Sequence, residues 1–246
     1  MTLNYLVGPV VGTGTFSTVR KGWARHGFRP VALKVIRKLF SDSYTDCLNE
    51  LAVMLRLEHP CIARLVTHAE SFQELVIVME FYPGGELGRM VEEERKAGRL
   101  SEQTAMFQFY QVTREHVTCP TPRLCQVVQA VVHLHSLNVC HRDIKPSNIL
   151  LVERSNRSLM TNSMVKYLHN SRSLLKLADF GVSKLLSETG QMDTFVGTPY
   201  YIAPEVLRVA QRPFEWYTSK ADCWSLGVLL YQLLTGERPF QSRPDR

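Results

Sequence analysis

Two short stretches of the sequence concentrate side chains that could act on phosphate. HRDIKPSN (141–148) places Asp143, Lys145 and Asn148 within six residues, and ADFG (178–181) adds Asp179. Magnesium prefers hard oxygen ligands and takes its remaining ligands from substrate phosphates. Phosphoryl transfer also needs a carboxylate that accepts the substrate hydroxyl's proton, and cations that offset charge on the phosphoryl oxygens. These residues therefore predict Mg²⁺-assisted phosphoryl transfer.

A glycine-bearing stretch near the start of the chain is a second candidate for phosphate binding. VGTGTFSTV (11–19) sets two glycines in a β-like run, and Lys34 ends the apolar stretch VALK. Glycine weakens a strand interior unless a backbone or ligand comes close, and lysine is seldom buried unless an anion meets it. We expect a loop folded over phosphates. A dinucleotide-binding fold would need a helix directly after the glycines, and a Walker loop would need GK[ST]; both are absent.

The predicted secondary structure that positions these residues changes along the chain from mostly strands to mostly helices. LNYLVGPVV, FSTVRKGW, PVALKVI, CIARLVTHA and ELVIVMEFY alternate like strands. SDSYTDCLNELAVMLRL, which starts at 41, predicts a helix with Leu48, Leu51 and Leu55 on one face. After PGGEL the pattern is mostly helical, and SKADCWSLGVLLYQLLTG predicts a helix closed by Gly236. The pattern predicts a small sheet with one helix, followed by a mainly helical part.

Composition narrows the class of protein and its partners. The chain has 246 residues, 45% hydrophobic and 21% charged, which is enough for a soluble globular core. It lacks an apolar run of membrane-spanning length and a signal-peptide-like start, so we expect no membrane partner and a cytoplasmic or nuclear location. Six scattered cysteines predict reduced thiols. Net charge +6 without an aromatic-interleaved stripe predicts a solvated basic surface and no nucleic-acid partner.

The order and register of these motifs resemble those of eukaryotic protein kinases. GTGTFSTV resembles the glycine-rich loop, with Ser17 in place of the usual third glycine, and VALK carries the strand lysine. HRDIKPSN, DFG, GTPYYIAPE (197–205) and DCWSLG resemble the catalytic loop, the metal-binding motif, the end of the activation segment and a buried-aspartate helix. The resemblance implies an α+β, bilobal fold. Residues 1–82 would form an antiparallel β-sheet lobe with one helix, and residues 83–246 a mainly helical large lobe.

The resemblance also implies roles for individual residues, with ATP and Mg²⁺ as cofactors. Asp143 would be the catalytic base, Lys145 would contact phosphate, and Lys34 would pair with Glu50. The metal ligands would be Asn148 and Asp179. The remaining nucleotide-binding residues would surround the adenine, the ribose and the phosphates: Val11, Gly12, Gly14, Val19, Ala32, Met79, Glu80, Tyr82, Glu86 and Leu150.

Further details of the motifs indicate the type of kinase and its regulation. KPSN after the catalytic aspartate, with Thr198 in GTPYY, resembles kinases that phosphorylate serine and threonine in proteins. Arg142 before that aspartate implies control by activation-loop phosphorylation, and Thr194 is the natural phosphosite for it to pair with. The sequence of 179–207 and 226–240 is most similar to the calcium/calmodulin-dependent and checkpoint kinase branch, which implies a preference for basic-flanked substrates. No oligomeric state is predicted.

Two segments depart from the family pattern within the large lobe. TREHVTCPTPRLCQV (113–127) interrupts what would otherwise be one amphipathic helix leading into the catalytic loop, and prolines do not fit inside a helix. One hypothesis is an in-frame insertion, from alternative splicing; the alternative is a tolerated surface loop that splits the helix in two. The second segment, between Asn148 and Asp179, spans 31 positions and predicts a flexible insertion at a hairpin tip.

A third departure concerns the end of the chain, ten residues after Gly236. We expect an incomplete large lobe, a Glu205 carboxylate without its arginine partner, and an uncovered apolar face on the helix at 218–235. Two functional classes therefore stay open. One is an active serine/threonine kinase. The other is a catalytically impaired isoform that acts by binding ATP or partners.

Overall fold

The computed structural model describes residues 4–14, 17–38, 41–97, 122–152, 175–187, 189–212 and 214–240. Its first part contains an antiparallel five-stranded sheet with the order β1-β2-β3-β5-β4. The strands are β1 (Tyr5–Thr13), β2 (Ser17–Ala24), β3 (Pro30–Arg37), β4 (Leu65–Glu70) and β5 (Glu74–Glu80). Period-two alternation predicted these strands, and the sheet with its helix α1 (Ser41–Met54) confirms the predicted architecture of this part.

The predicted start of β4 is wrong. CIARLVTHA was expected to be strand throughout, but β4 begins at Leu65. The preceding residues leave this sheet and pair with Leu177 instead: its N–H donates to the Cys61 carbonyl at 2.8 Å, and the Ala63 N–H donates to its carbonyl at 2.8 Å. The segment after α1 therefore joins the first sheet to the strand that precedes Asp179.

The apolar face predicted for α1 is also wrong. Leu51 is buried, whereas Leu48 is 38% exposed and Leu55 lies beyond the helix end and is 60% exposed. The face turned inward contains Glu50, which is 3% exposed, together with Val53 and Met54. A carboxylate is buried only with a charged partner, and Lys34 of β3 provides that partner. The ion pair therefore sets the rotation of this helix, and apolar periodicity alone could not predict it.

The second part is mainly helical, as predicted, with short strands beside the helices. The helices are α2 (Leu87–Lys96), α3 (Pro122–Ser136), α4 (Pro204–Val209) and α5 (Lys220–Thr235). The strands are β6 (Gly85–Glu86), β7 (Val139–Cys140), β8 (Ile149–Leu151), β9 (Leu175–Leu177) and β10 (Lys184–Leu185). They form one sheet of the order β6-β8-β9 and a β10-β7 pair. Single 3₁₀ turns span Pro146–Asn148 and Pro199–Tyr201. This arrangement is the expected bilobal α+β fold.

Part of the proposed insertion at 113–127 is integrated into the fold. Helix α3 begins at Pro122, the first helical position, where a missing N–H costs nothing. Val127 is 1% exposed within the core, and the Gln126 side-chain carbonyl accepts the Leu175 N–H at 2.8 Å. The final residues of the segment thus build the helix that leads to the catalytic loop. Residues 98–121, on which both hypotheses about this segment also depend, lie outside the described residues.

The long segment after Asn148 joins two antiparallel strands, as predicted. Leu151 of β8 pairs with Leu175 of β9, so residues 152–174 connect the two strands of one hairpin. Residues 153–174 lie outside the described residues. The Ile149–Leu177 pair of this hairpin lies in the main core, and both side chains are fully buried.

Helix α5 ends as predicted, and some of its large side chains are partly exposed. Gly236 adopts φ 75° and donates its N–H to the Gln232 carbonyl at 2.8 Å, a left-handed helix cap. Trp224 is 36% exposed and stacks on Phe240, with ring centroids 5.5 Å apart. Glu205 was expected to be a buried carboxylate without a cation. It is instead only partly buried in the first turn of α4, where water can solvate it.

One main core runs through both parts of the structure. It includes Ile36 and Ile77 from the first sheet, Met54 from α1, Leu134 from α3 and Leu229 from α5. A second cluster, around Met192 and Tyr217, packs the activation segment against the start of α5. Across the described ranges, no helix is long and apolar enough to cross a membrane.

Candidate active site

A buried carboxylate on α5 anchors the backbone of the catalytic loop. Asp222 is fully buried and accepts the backbone N–H groups of His141 at 2.9 Å and Arg142 at 2.8 Å. It also bonds to His135 Nε2 at 2.8 Å and to the Cys140 thiol at 3.3 Å. Burial alone would raise the pKa of Asp222, but these donors outweigh it and hold the pKa below its usual value. An ionised Asp222 therefore fixes the start of the loop.

The anchored loop contains a strained residue. Arg142 adopts φ 68°, a left-handed conformation that costs a non-glycine residue about 1 kcal/mol or more. The charge-assisted hydrogen bond from its N–H to Asp222 offsets this strain. The Arg142 side chain points toward Thr194 of the activation segment. Asp143, the next residue, lies beside Lys145 and Asn148.

Asp143 receives three side-chain hydrogen bonds. The Lys145 ammonium donates to it at 2.7 Å, the Thr198 hydroxyl at 2.6 Å and the Asn148 amide at 3.0 Å. Burial alone would raise the pKa of Asp143, but these donors outweigh it and lower the pKa. The carboxylate is therefore ionised at neutral pH and 12% exposed at the edge of the cleft. An ionised, oriented carboxylate can accept a proton from a hydroxyl group.

Asn148 and Asp179 form an oxygen-rich set that fits a magnesium ion. The Asn148 side-chain N–H group is used on Asp143, so its amide oxygen is the atom left for a cation. The Asn148 carbonyl accepts the Ala178 N–H at 2.9 Å, which joins the loop to the residue preceding Asp179. Asp179 adopts φ 62°, and its carboxylate is 54% exposed. One carboxylate and one amide oxygen suit Mg²⁺, which takes its other ligands from phosphate and water.

Lys34 lies between two carboxylates. Its ammonium contacts both Glu50 oxygens at 2.6 Å and lies 3.7 Å from Asp179 Oδ1. Burial alone would lower the pKa of Lys34, but the charges of Glu50 and Asp179 outweigh it and raise the pKa. The residue predicted from its position in VALK is therefore a fixed cation, 13% exposed, beside the candidate metal ligands.

The sheet brings several of the predicted nucleotide-binding residues together. Directly paired residues of antiparallel strands present their side chains on the same face. Val19 pairs with Lys34, and Ala32 pairs with Met79, so these four share one face of the sheet. Glu86 pairs with Leu150, which packs on the buried cluster formed by Ala63, Tyr82 and Ala178. The predicted nucleotide-binding residues therefore include one group on the five-stranded sheet and a second group at the β6–β8 pair.

The predicted glycine-rich loop closes a β1–β2 hairpin. Gly12 pairs with Val19, and the Gly14 N–H donates to the Ser17 carbonyl at 2.8 Å. A Cβ at Gly14 would lie 3.0 Å from the Ser17 hydroxyl, so a larger residue is tightly constrained there. Val11, on the same hairpin, is 45% exposed. Val11 therefore has exposed apolar surface that a ligand can contact.

The connection between the two parts is fixed by the side chain of Tyr82. Its hydroxyl accepts the Arg64 N–H at 3.1 Å and donates to the Glu80 carboxylate at 3.1 Å. Burial, the main cause, raises the pKa of the phenol. Glu80 and Tyr82 were both predicted to bind the nucleotide, and these side-chain bonds fix the two residues relative to each other and to Arg64. The Glu86 carboxylate, 38% exposed, lies 3.9 Å from Arg89.

The predicted regulatory residues lie close to the catalytic loop. Arg142 Nη1 donates to the Thr194 hydroxyl at 2.9 Å, and its Nε donates to the Val182 carbonyl at 2.5 Å. Thr194 is exposed, so an enzyme can reach it. Thr198, also predicted as regulatory, bonds to both Asp143 and Lys145, the latter at 2.7 Å. It therefore belongs to the hydrogen-bonded cluster around Asp143.

Sequence reasoning missed two residues that support the site. His135 bonds to the buried Asp222, and Tyr217 donates its hydroxyl to the Thr194 carbonyl at 2.8 Å. The sequence contained a signal for the first, since a buried aspartate requires donors and His135 lies in the last turn of α3, six residues before His141. For the second there was no local signal, because Tyr217 and Thr194 are 23 positions apart.

Comparisons with known proteins match this arrangement. The protein kinase domain family matches residues 5–246. A calcium/calmodulin-dependent protein kinase type 1 from Macrobrachium nipponense is 35% identical over 98% of this chain and 59% of its own length. The ovarian-specific serine/threonine-protein kinase Lok from Drosophila melanogaster is 34% identical over 96% and 44%. The serine/threonine-protein kinase ATG1 from Colletotrichum lindemuthianum is 32% identical over 97% and 37%. The chain thus spans about 37% to 59% of the length of these relatives.

Proposed function

The chain belongs to the protein kinase family, and we propose that it transfers the terminal phosphoryl group of Mg-ATP to serine or threonine hydroxyls of protein substrates. The observation that carries this proposal is the cluster on Asp143, whose carboxylate receives hydrogen bonds from Lys145, Asn148 and Thr198. All three donors leave the carboxylate ionised and oriented. A phosphotransferase needs such a group beside the acceptor hydroxyl.

Asp143 acts as the proton acceptor. Its lowered pKa keeps it unprotonated at neutral pH, so it can orient a substrate hydroxyl and take the proton as the oxygen attacks phosphorus. The bond from that oxygen to the γ-phosphorus forms while the bond from phosphorus to the β–γ bridging oxygen breaks. Lys145, 2.7 Å from Asp143, offsets negative charge on the transferred group.

Lys34 and the metal ligands hold the nucleotide phosphates. The Lys34 ammonium, fixed by Glu50, provides a positive charge for the phosphates near their attachment to the ribose. Asn148 and Asp179 would hold Mg²⁺. When bound, the ion neutralises charge on the phosphate oxygens. The cleft walls would enclose the adenine, with Val11, Val19, Ala32 and Met79 on one side and Leu150 on the other.

Thr194 would regulate the site. A phosphate on its exposed hydroxyl adds close to two negative charges at the point where Arg142 already contacts it, and arginine binds phosphate through paired hydrogen bonds. Arg142 precedes Asp143 directly. A phosphate at Thr194 would therefore stabilise the strained backbone that orients the catalytic carboxylate.

Basic-flanked proteins are the substrate class we propose. The similarity to a calcium/calmodulin-dependent kinase supports it, as does the half-exposed Glu86 carboxylate beside Leu150, which can pair with a substrate arginine. The domain boundary near residue 82 and the cytoplasmic or nuclear location remain predictions.

A peptide panel tests the substrate class directly. The chain would be given Mg-ATP with peptides that share one sequence but contain serine, threonine or tyrosine as the acceptor, each in basic-flanked and neutral-flanked forms. We expect transfer to serine and threonine, several-fold faster with basic flanks. Transfer to tyrosine alone would contradict the proposed acceptor, and equal rates for both flanks would contradict the basic preference.

A further inference from the structure

Tyr217 makes three hydrogen bonds to the activation segment. It lies between α4 and α5 and is 2% exposed. Its backbone N–H and carbonyl exchange hydrogen bonds with those of Met192, each 2.9 Å long. Its hydroxyl donates to the Thr194 carbonyl at 2.8 Å. One buried residue therefore fixes the activation segment at two points, one of which is Thr194.

Tyr217 and Arg142 both contact Thr194. Arg142 donates to the Thr194 hydroxyl at 2.9 Å, and the Tyr217 hydroxyl donates to the carbonyl of the same residue at 2.8 Å. Thr194 is therefore held from two directions, with its carbonyl bound by a buried phenol and its hydroxyl bound by a guanidinium. Because both bonds meet at one residue, the position of the Thr194 side chain relative to Arg142 depends on Tyr217.

The anchorage of Tyr217 is shared with the catalytic loop. Tyr217 packs with Met192 and Ala221 in a buried cluster at the start of α5 that also contains Cys140. Asp222, the next residue of that helix, binds the backbone of Arg142. The first turn of α5 thus fixes both Tyr217 and Arg142. The two groups that flank Thr194 therefore share one rigid support.

We propose that Tyr217 is a positioning residue for phosphorylated Thr194. Its hydroxyl holds the Thr194 backbone so that a phosphate on the side chain meets the Arg142 guanidinium. A phosphate gains charge-assisted hydrogen bonds from arginine only when its oxygens lie within reach of the guanidinium N–H groups. Without the phenol hydroxyl, the exposed Thr194 must be ordered by the phosphate itself, which weakens the pairing. The inference rests on the proposed role of Thr194 in regulation.

The test uses phosphothreonine incorporated at position 194 in three chains: wild type, Tyr217→Phe and, as the matched control, Tyr231→Phe. Tyr231 lies on α5, is 45% exposed, and is not among the described hydrogen-bond partners of Thr194. Two quantities are measured. One is the second pKa of the phosphate, from its ³¹P chemical shift against pH. The other is the ratio of kcat with and without the phosphate.

Pairing with Arg142 stabilises the dianion, so we expect the wild-type phosphate pKa to lie below its ordinary value of about 6. Tyr217→Phe should return it toward 6 and reduce the activation ratio about fivefold. Tyr231→Phe should match wild type in both. Replacement of Tyr217 by 4-aminophenylalanine keeps an N–H donor at the same ring position and should restore both quantities.

A phosphate pKa in Tyr217→Phe equal to that of wild type would overturn the inference. The ³¹P measurement does not depend on catalysis, so it separates this inference from the proposed function. If the wild-type chain transfers no phosphate, the proposed function fails while the phosphate pKa still decides the role of Tyr217. If Tyr217→Phe does not fold, the 4-aminophenylalanine chain decides: a wild-type phosphate pKa supports the inference and an ordinary one overturns it.

Discussion

The Thr198 hydroxyl donates a 2.6 Å hydrogen bond to Oδ1 of Asp143, although the two residues are 55 positions apart in the chain. Thr198 lies in the activation segment and Asp143 in the catalytic loop, so this bond joins the segment that contains Thr194 to the proposed base. The same hydroxyl accepts a hydrogen bond from Lys145 at 2.7 Å. Displacement of the activation segment would therefore alter both the orientation and the pKa of the Asp143 carboxylate.

Substitution of Thr198 by valine tests this relationship. Valine keeps the shape but removes the hydroxyl, and a hydrogen bond to a charged group contributes about 1.5 to 3 kcal/mol. We expect kcat to fall at least about tenfold. The pKa of Asp143 should rise, so the acid limb of the kcat–pH profile should move to higher pH. Thr198→Ser should keep near wild-type behaviour, and a Thr198→Val profile that coincides with wild type would contradict the role.

Replacement of Glu50 by glutamine removes the charge that fixes Lys34. The pair is buried, with 13% and 3% of the two side chains exposed, so loss of one partner leaves a poorly compensated cation. We expect the free energy of unfolding to fall by about 3 kcal/mol, with weaker ATP binding. Glu92→Gln is the control, because Glu92 pairs with Lys96 at an exposed site where the loss should be below about 1 kcal/mol. Equal losses for both variants in denaturant titrations would contradict this account.

Gly197 allows the activation segment to pass close to the catalytic loop. Its φ is 119°, and a Cβ there would lie 2.8 Å from the Arg142 carbonyl oxygen. Gly197→Ala should displace Thr198 from Asp143 and lower kcat at least about tenfold, while KM for ATP changes little. Gly227→Ala is the control, because a Cβ at that helical position meets nothing within 4 Å and alanine favours a helix. A Gly197→Ala enzyme with normal kcat would show that the segment tolerates the displacement.

The environment of His59 predicts that the free energy of unfolding falls at acid pH. Its ring stacks on His133 with centroids 5.0 Å apart, and its Nδ1 accepts the Cys61 N–H at 3.1 Å, which only an unprotonated nitrogen can do. Burial, followed by the charges of His133 and Lys176, lowers the pKa of His59. As the pH falls, His59 therefore takes up a proton in the unfolded chain before it does so in the folded chain. The contribution to stability is complete above about pH 6.5 and is lost as the pH falls below it.

Thermal unfolding at pH 7.5 and pH 5.5 measures this contribution. His59→Asn keeps an acceptor for the Cys61 N–H but does not titrate, so its Tm should fall less between the two pH values than that of wild type. His26→Asn, at an exposed turn, should behave like wild type. Acid sensitivity in His59→Asn as large as in wild type would place the cause elsewhere in the chain.

Local patterns predicted the parts of the fold that local forces determine. Alternation predicted the strands of the first sheet, and the glycine after a long apolar run predicted the end of α5 at Gly236. Motif order predicted that Asp143, Asn148 and Asp179 lie together, and the backbone bond from Ala178 to Asn148 is consistent with it. Their roles remain proposals.

Tertiary contacts determined the orientation of α1 and the start of β4, which local sequence patterns did not predict. The burial of Glu50 by Lys34 rotated α1, so Leu48 faces solvent although its spacing from Leu51 fits an apolar face. Cys61 and Ala63 pair with Leu177, so β4 begins later than predicted. Periodicity cannot predict backbone partners that lie 116 and 114 positions away in the sequence.

The most direct test of the central claim compares wild type with Asp143→Asn. Phosphoryl transfer from Mg-ATP to a basic-flanked serine peptide would be measured for both chains, together with the Kd for Mg-ATP. We expect transfer in wild type and a loss of at least about 100-fold in Asp143→Asn, with the Kd changed less than about threefold. Equal transfer by both chains would contradict the assignment of the base. A folded wild type that binds Mg-ATP without transfer would contradict the proposed kinase activity and indicate a role in binding ATP or partners.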